Sequence, residues 1–361
     1  MDGNARLLGG HVMIGWVSDR IDRFRGRGAH AATVPPMDGA LRPNTLLEQA
    51  KVVARAAAPD NLVLHRGTVL FSSGSDILAL DPTTGVTSQW RRCAATVTAM
   101  ASSDATLAIA LSDGSLILSS DTDRTLTTLG SCITAIAPGE QGRLIICVGS
   151  TRNPATDWKR DLLQGGASGA VWALTVADDT LQKLADGLSW PAGAAMSDGR
   201  VVVVEGWKHR LTPIGTAALI TDLPGYPSRL TPAPDGWWLT VFAPRNQLIE
   251  LVLRERDYRE RMMREIDSDH WIAPSLAPAV DFNEPMQGGA IRTHGIIKPW
   301  APTRSYGLLV RLDASFRPIA SYHSRADGRF HGVTSALHLG DRVLVTSRGG
   351  NAVLSLPEVQ P

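Results

Sequence analysis

Six places in this chain hold polar groups that chemistry can use: Asp60-Asn61, Thr134, Trp190 ahead of a proline, Glu205, Ser228-Arg229, and His331 with Thr334. His331 titrates nearest neutral pH and is a candidate general base, with Asp60 to orient its ring; the alternative is a structural histidine at a loop–strand junction. Ser228 is a candidate nucleophile, although no Gly-x-Ser-x-Gly elbow surrounds it. Arg229 can hold a carboxylate or an oxyanion through two parallel hydrogen bonds, or can close a salt bridge to Asp60 or Glu205. Asn61, Thr134, Trp190 and Thr334 would line the same cavity. Glu205 reads as an acceptor in the cavity wall rather than as a catalytic acid.

These residues need a frame that brings the starts of distant strands to one point. The chain supplies a repeating plan of strand, Gly- or Asp-containing turn, strand rich in Val, Ile, Leu or Trp, turn, and strand, as in DNLVLHRGTVLFSSGSDILALDPTTG (60–85) and TAMASSDATLAIALSDGSLILSS (98–120). Six such units fall near 60–92, 94–130, 131–186, 188–222, 226–324 and 331–358. That count and spacing predict an all-β fold, a six-bladed β-propeller with short helical insertions, in which residues opening the inner strands face a central channel. LLEQAKVVARA (46–56) is the candidate for the strand that closes the ring and removes its open edge. Residues 1–45 read as a lead-in that wraps the body, and 46–361 as a single propeller domain.

NPATDWKRDLLQGG (153–166), with a Thr cap and a Gly stop, predicts a short helix. RERDYRERMMREI (254–266), with Tyr258, Met262 and Ile266 four apart, predicts an amphipathic surface helix. PSRLTPAPDGWWLTVFAPRNQLIELVL (227–253) is read as three strands. The stretch Asp267–Tyr306, containing Trp271 and Trp300, lacks clear periodicity. Together with the preceding helix it makes 254–306 a capping insertion in blade 5, over the channel mouth and facing an amphiphilic ligand, or else a packed decoration of that blade.

With 36 Lys and Arg against 35 Asp and Glu, the net charge is +1, so nothing favours nucleic acid or an anionic membrane surface. No window reaches the ~18–20 apolar residues of a membrane span. Cys93, Cys132 and Cys147 sit in apolar contexts and read as core thiols. The N-terminal stretch has no small-residue cleavage site, and a reduced, soluble, cytoplasmic protein is expected.

GLSWPAGAAMSDGRVVVVEGW resembles the segment of strictosidine synthase-like proteins in which Leu-aromatic-Pro-Asn-Gly precedes a strand ending in Ala-Glu-Thr. LPGYPSRLTPAPDGWWLTV, DWKRDLLQGGASGAVWAL and HGVTSALHLGDRVLVTS resemble that family's later segments in the same order, over about 60–356. The resemblance extends to the senescence marker protein and gluconolactonase family and, more distantly, to paraoxonases. It implies a six-bladed propeller, and in many members a lactonase or esterase that uses a divalent metal, often calcium, at the bottom of the channel.

That implied ligand set is depleted here. Asp60 stands at the family's Glu, with Asn61 beside it; Thr134 stands at an Asn, Ala192 at the Asn after the aromatic-Pro pair, and Ser228 at the Asp after Tyr-Pro, with Arg229 adjoining. One carboxylate and two hydroxyls bind calcium poorly, and a guanidinium repels it. No cofactor is therefore expected; were a divalent metal such as calcium retained, Asp60 would be its ligand. The catalytic Glu of strictosidine synthase falls at Thr334, which removes support for its amine–aldehyde condensation. The expected function is a small-molecule hydrolase acting on an ester or lactone, its substrate carboxylate-bearing if Arg229 is an anion site. The alternatives are a non-catalytic binding or scaffold propeller and a metal-free lyase or condensing enzyme using His331. Oligomeric state is left open.

Overall fold

The computed structural model describes residues 33–103, 105–278 and 303–357, with two short paired strands, Arg292–Thr293 and Ile296–Ile297. Six antiparallel sheets follow one another in the order of the predicted units, and their first strands surround a channel. These inner strands are Asp60–His65, Val97–Ser103, Ile133–Pro138, Pro191–Ser197, Gly225–Ala233 and Val333–Leu339, in blades 1 to 6. Five blades have four strands; blade 4 has three, its outer edge reduced to a single bridge from Leu211 to Ile220.

Each blade is packed on both faces, so its middle strands read as continuous apolar runs, such as Thr106–Leu111 and Arg143–Val148. Outer strands lose that pattern: Thr87–Arg92 is almost entirely exposed. The core is accordingly a set of wedges between neighbouring blades. Ala99, Ala108 and Leu116 of blade 2 meet Ile133, Leu144 and Ile146 of blade 3, and Val202 and Val204 of blade 4 meet Leu239 and Val310 of blade 5.

The strand Lys51–Arg55 pairs antiparallel with Ala352–Pro357 and completes blade 6 from the N-terminal side. Val53 and Ala54 then enter the wedge between blades 6 and 1, beside Leu62, Phe71 and Leu344. Just upstream, Glu48 accepts hydrogen bonds from the Ser324 hydroxyl and the Arg329 amide and pairs with the Arg329 guanidinium. The described part of the lead-in lies on the edge of blade 5, where the Asn44 side chain donates to Ser321 O and the Ser321 hydroxyl donates to Ala40 O. Residues 1–32 lie outside the described residues.

Three expectations about local structure are revised. Helix α1, Trp158–Gln164, ends at Gly165 in the left-handed conformation, but its N-cap is Asp157 without a side-chain cap bond, so Thr156 does not cap it. QLIELVL is not a third strand: it is helix α2, Gln247–Arg254, started by the Asn246 side chain accepting from the Leu248 amide. The third strand of blade 5 is Gly307–Asp313, beyond the insertion. Helix α3, Arg256–Glu265, buries Met262 but leaves Tyr258 and Ile266 about half exposed, so the inward face is not the stripe those residues defined.

Deleting residues through Arg55 should leave the 352–357 strand as a bare edge and strip Val53 and Ala54 from the last wedge. The expected outcome is a melting temperature at least about 5–10 °C lower, or self-association, checked by thermal melting and size-exclusion chromatography.

Candidate functional site

All six inner strands carry a register shift near their channel-facing start. Thr98 lies between the paired residues Val97 and Ala99, Thr134 between Ile133 and Ala135, Ala192 between Pro191 and Gly193, and Thr334 between Val333 and Ser335. In blades 1 and 5 the shift falls at Asn61–Leu62 and Ser228–Arg229. A bulge leaves one residue out of the ladder and re-aims its backbone groups. Here it turns oxygens toward the channel axis.

Arg229 receives them. Its Nη1 donates to Asp60 Oδ1 at 2.6 Å and to Thr334 O at 3.0 Å. Its Nη2 donates to Asn61 Oδ1 at 2.6 Å, Thr98 O at 3.2 Å and Thr134 O at 3.4 Å. One guanidinium on blade 5 therefore reaches oxygens of blades 1, 2, 3 and 6. Asp60 Oδ1 also accepts from the Asn61 amide and the Thr334 hydroxyl, each at 2.8 Å, and Arg348 Nη1 lies 3.5 Å from Oδ2. Burial would raise the Asp60 carboxyl, but the charges of Arg229 and Arg348 and those two hydrogen bonds outweigh it and hold it below the usual carboxylate range.

A cavity of about 270 Å³ opens above this cluster. Asp60, Thr134, Ser228, Arg229 and Thr334 are at its base, with Thr98 and Arg348, and Trp158, Trp190, Trp207 and Phe242 supply an aromatic wall. Trp190 stacks on Trp207 at 5.0 Å between centroids, and the Trp207 indole donates to Asp161 Oδ1 at 2.9 Å, which fixes the wall to helix α1. Trp190 sits in the left-handed backbone region, and Gly149 makes room for it: a Cβ there would lie 2.6 Å from Thr134 Cγ2 and 3.0 Å from the Trp190 ring. On the far side of Arg229 a second chamber of about 300 Å³ runs between the later residues of the inner strands, with Asn61 and apolar side chains such as Leu62, Met100 and Ile136 in its walls.

Several expected site residues lie elsewhere. His331 is fully buried, its Nδ1 2.8 Å from the Ser305 hydroxyl and its Nε2 2.8 Å from Arg325 O. A carbonyl only accepts, so Nε2 carries the proton, Nδ1 accepts from Ser305, and neither nitrogen is left for a substrate. Burial lowers its pKa further, and Asp60 is engaged with the two arginines and Thr334 instead of orienting the ring. Its backbone carbonyl does serve the site, accepting from the Ser347 hydroxyl and the Gly349 amide and so holding the turn that carries Arg348. Glu205 is buried away from the cavity, accepting from the Ser189 amide and pairing with Arg210. Arg229 therefore pairs with Asp60 and not with Glu205. Trp271 is buried against helices α2 and α3, with Leu163, Val252 and Met262, and donates to Ile266 O; it is core under the rim, not channel wall. Trp300 lies outside the described residues, as do 279–291, 294–295 and the rest of 298–302 in the expected cap, but the described part of that segment brings Leu276 to the cavity edge.

Arg348 and Thr98 were not anticipated. Thr98 was legible in the repeat Val-Thr-Ala, Ile-Thr-Ala, Val-Thr-Ser at 97–99, 133–135 and 333–335. Arg348 stands in a glycine-rich turn whose meeting with Asp60 is a long-range event. Among the described residues no cluster of three His, Cys, Asp or Glu side chains could hold a metal.

The fold is that of the gluconolactonase-like six-bladed propellers. A gluconolactonase of Xanthomonas campestris is similar over 90% of this chain and 94% of its own, at 13% identity and a TM-score of 0.53. The calcium-binding protein regucalcin of Agrobacterium tumefaciens is similar over 85% and 92%, at 14% identity and 0.51. An aldose sugar dehydrogenase of Streptomyces coelicolor in its PQQ-bound form matches 90% and 99%, at 14% identity and 0.50. No protein-family model matches the sequence, and no curated protein does. At such identities the likeness is one of architecture, and the activities belong to those proteins. No helix among the described residues is long and apolar enough to cross a membrane.

Two substitutions test this geometry. Gly149→Ala should destabilise by about 1–3 kcal/mol, because Thr134 or Trp190 must move, and urea unfolding measures it. The folded Asp60 carboxyl lies below its ordinary value of 3.8, so its stabilisation is complete above that value and is lost as pH falls through the lower, folded pKa. Melting temperature followed downward from neutral pH should drop more steeply below pH ~4 in the wild type than in Asp60→Asn, which starts lower and lacks this component.

Proposed function

We propose that the cavity above Arg229 binds a small ring-bearing molecule through a carboxylate or a similar oxyanion, held by Arg348. The observation that carries this reading is the state of Arg348. Its guanidinium lines the cavity with 36% of the side chain exposed; among the described residues its only ion pair is the 3.5 Å approach to Asp60, and its Nε is buried with no hydrogen-bond partner. Arg229, the anion site expected from the sequence, already spends both terminal nitrogens on protein oxygens. Two guanidinium groups against one carboxylate leave the cavity base with a net positive charge that an anion would neutralise.

Size and lining narrow the ligand. Pockets for small ligands run from ~300 Å³ upward, so about 270 Å³ admits one substituted ring and little more. Trp158, Trp190, Trp207 and Phe242 offer that ring apolar faces.

Ester or lactone hydrolysis is the reaction that this arrangement supports best. The Arg348 guanidinium can stabilise the oxyanion formed when water attacks a carbonyl, the role for which such donors are suited. Ser228 has no base beside it: its hydroxyl lies 3.5 Å from Thr334 O, and no histidine is among the lining residues. A serine-nucleophile route is therefore not part of the proposal, nor is a lyase built on His331. Asp60, held ionised, is a weak base, and a slow hydrolase or a binding propeller follows.

Benzoate titrated into the full-length protein should quench tryptophan emission saturably, and Arg348→Ala should weaken that binding by about 10-fold or more, as loss of a charge-assisted hydrogen bond implies. An unchanged affinity in Arg348→Ala would remove the anion assignment. Hydrolysis is tested with gluconolactone and phenyl acetate in a pH-indicator assay with and without chelator: turnover that survives chelation and falls in Arg348→Ala supports the enzyme, and binding without turnover leaves the propeller as a binding module.

A further inference from the structure

We infer that the guanidinium of Arg229 is a built-in cation: it does for the centre of this ring what a bound metal ion would do in a propeller with oxygen ligands at the same place. This inference is independent of the ligand reading, which rests on Arg348.

Five oxygens converge on the two terminal nitrogens of Arg229: the carboxylate of Asp60, the side-chain carbonyl of Asn61 and the backbone carbonyls of Thr98, Thr134 and Thr334. Such a convergence of oxygens around one carboxylate is the surrounding a hard cation takes, although Asp60 Oδ1 and Thr334 O share their lone pairs with further donors, the Asn61 amide and Thr334 hydroxyl on the first and the Thr240 and Ser228 hydroxyls on the second. The residues present do not fit a divalent ion in addition. Ala192 has no ligand atom, Asp60 Oδ1 already accepts three hydrogen bonds, and the guanidinium fills the space between the strands. What fits is a planar monovalent cation with several donors in fixed directions, and arginine is the side chain that offers one.

The bulges explain why a cation is needed at all. The three backbone carbonyls among the five oxygens belong to residues displaced from their own ladders, and buried carbonyls without donors are costly. Arg229 is itself held at the shift in blade 5, where its amide donates to the Thr240 hydroxyl at 2.9 Å. It therefore ties blade 5 to blades 1, 2, 3 and 6 at one point. An exchangeable metal would make that tie depend on solution conditions; a covalently attached cation makes it permanent.

The test uses thermal melting of the full chain, so that activity plays no part. Wild type should melt at the same temperature in millimolar calcium and in chelator. Arg229→Ala, which leaves the oxygens without their cation, should melt about 5–15 °C lower. Guanidinium or methylguanidinium at tens of millimolar, too dilute to denature, should restore part of that loss by occupying the vacated cage, and should not stabilise the wild type. Stabilisation of the wild type by calcium, an Arg229→Ala melt equal to wild type, or a lowered melt that neither guanidinium ion raises would each overturn the inference. If Arg229→Ala does not fold, Arg229→Lys carries the test: an ammonium cannot span oxygens from four blades, so this variant should fold and melt several degrees lower. A lysine variant as stable as wild type would show that charge alone suffices and that the cage is not matched to a guanidinium.

Discussion

Backbone oxygens turned out of a β-ladder into a narrow channel must find donors, and in this propeller most of those at the axis find one side chain. The inner strands bulge at equivalent places, and the resulting carbonyls of Thr98, Thr134 and Thr334 meet the Arg229 guanidinium together with Asp60 and Asn61. The rest of the channel follows from that meeting. Arg229 is the residue common to the cavity on one side and the chamber on the other, so the channel is divided and the cavity has a charged base. Asp60, neutralised mainly from below by Arg229, is left only a long contact with Arg348, which is why that second guanidinium keeps donors for something else.

The aromatic wall has its own supports. Asp161 on helix α1 accepts from the Trp207 indole and from the Asn153 side chain, and Trp207 in turn stacks on Trp190. Behind Trp207, the Tyr226 hydroxyl donates to Glu250, which is held by Arg245. Burial depresses the neighbouring His209 to about 4, so this layer stays neutral at the histidine near physiological pH. These groups are core furniture of the rim, and their fixed geometry keeps the large rings from collapsing into the cavity.

The architecture, the ring-closing strand and most of the cavity base were legible in the sequence, because each depends on local pattern: apolar strand runs, the Gly- and Asp-containing turns between them, and the start of a strand at a predictable radius. The ion pair of Arg229 with Asp60 was legible too, as one of two roles. The misreadings fall where a local signal has two readings. QLIELVL is apolar enough for a strand, yet Asn246 caps it into helix α2. His331 lies in the right stretch of chain, yet its ring turns outward to Ser305 and Arg325 while only its backbone faces the site. Trp271 has the composition of a lid residue and the position of a core residue.

By itself the sequence determined the number of blades, their order along the chain and which side chains stand where the inner strands begin, since these follow from turn spacing and side-chain identity at single positions. Only the tertiary structure decided that Arg229 is enclosed by oxygens from four other blades, that His331 is spent, and that Arg348 is the cation left facing the cavity. Those outcomes depend on which donors and acceptors meet across a hundred or more residues of chain, and on the burial that sets the strength of each meeting, neither of which is carried by any short stretch of sequence.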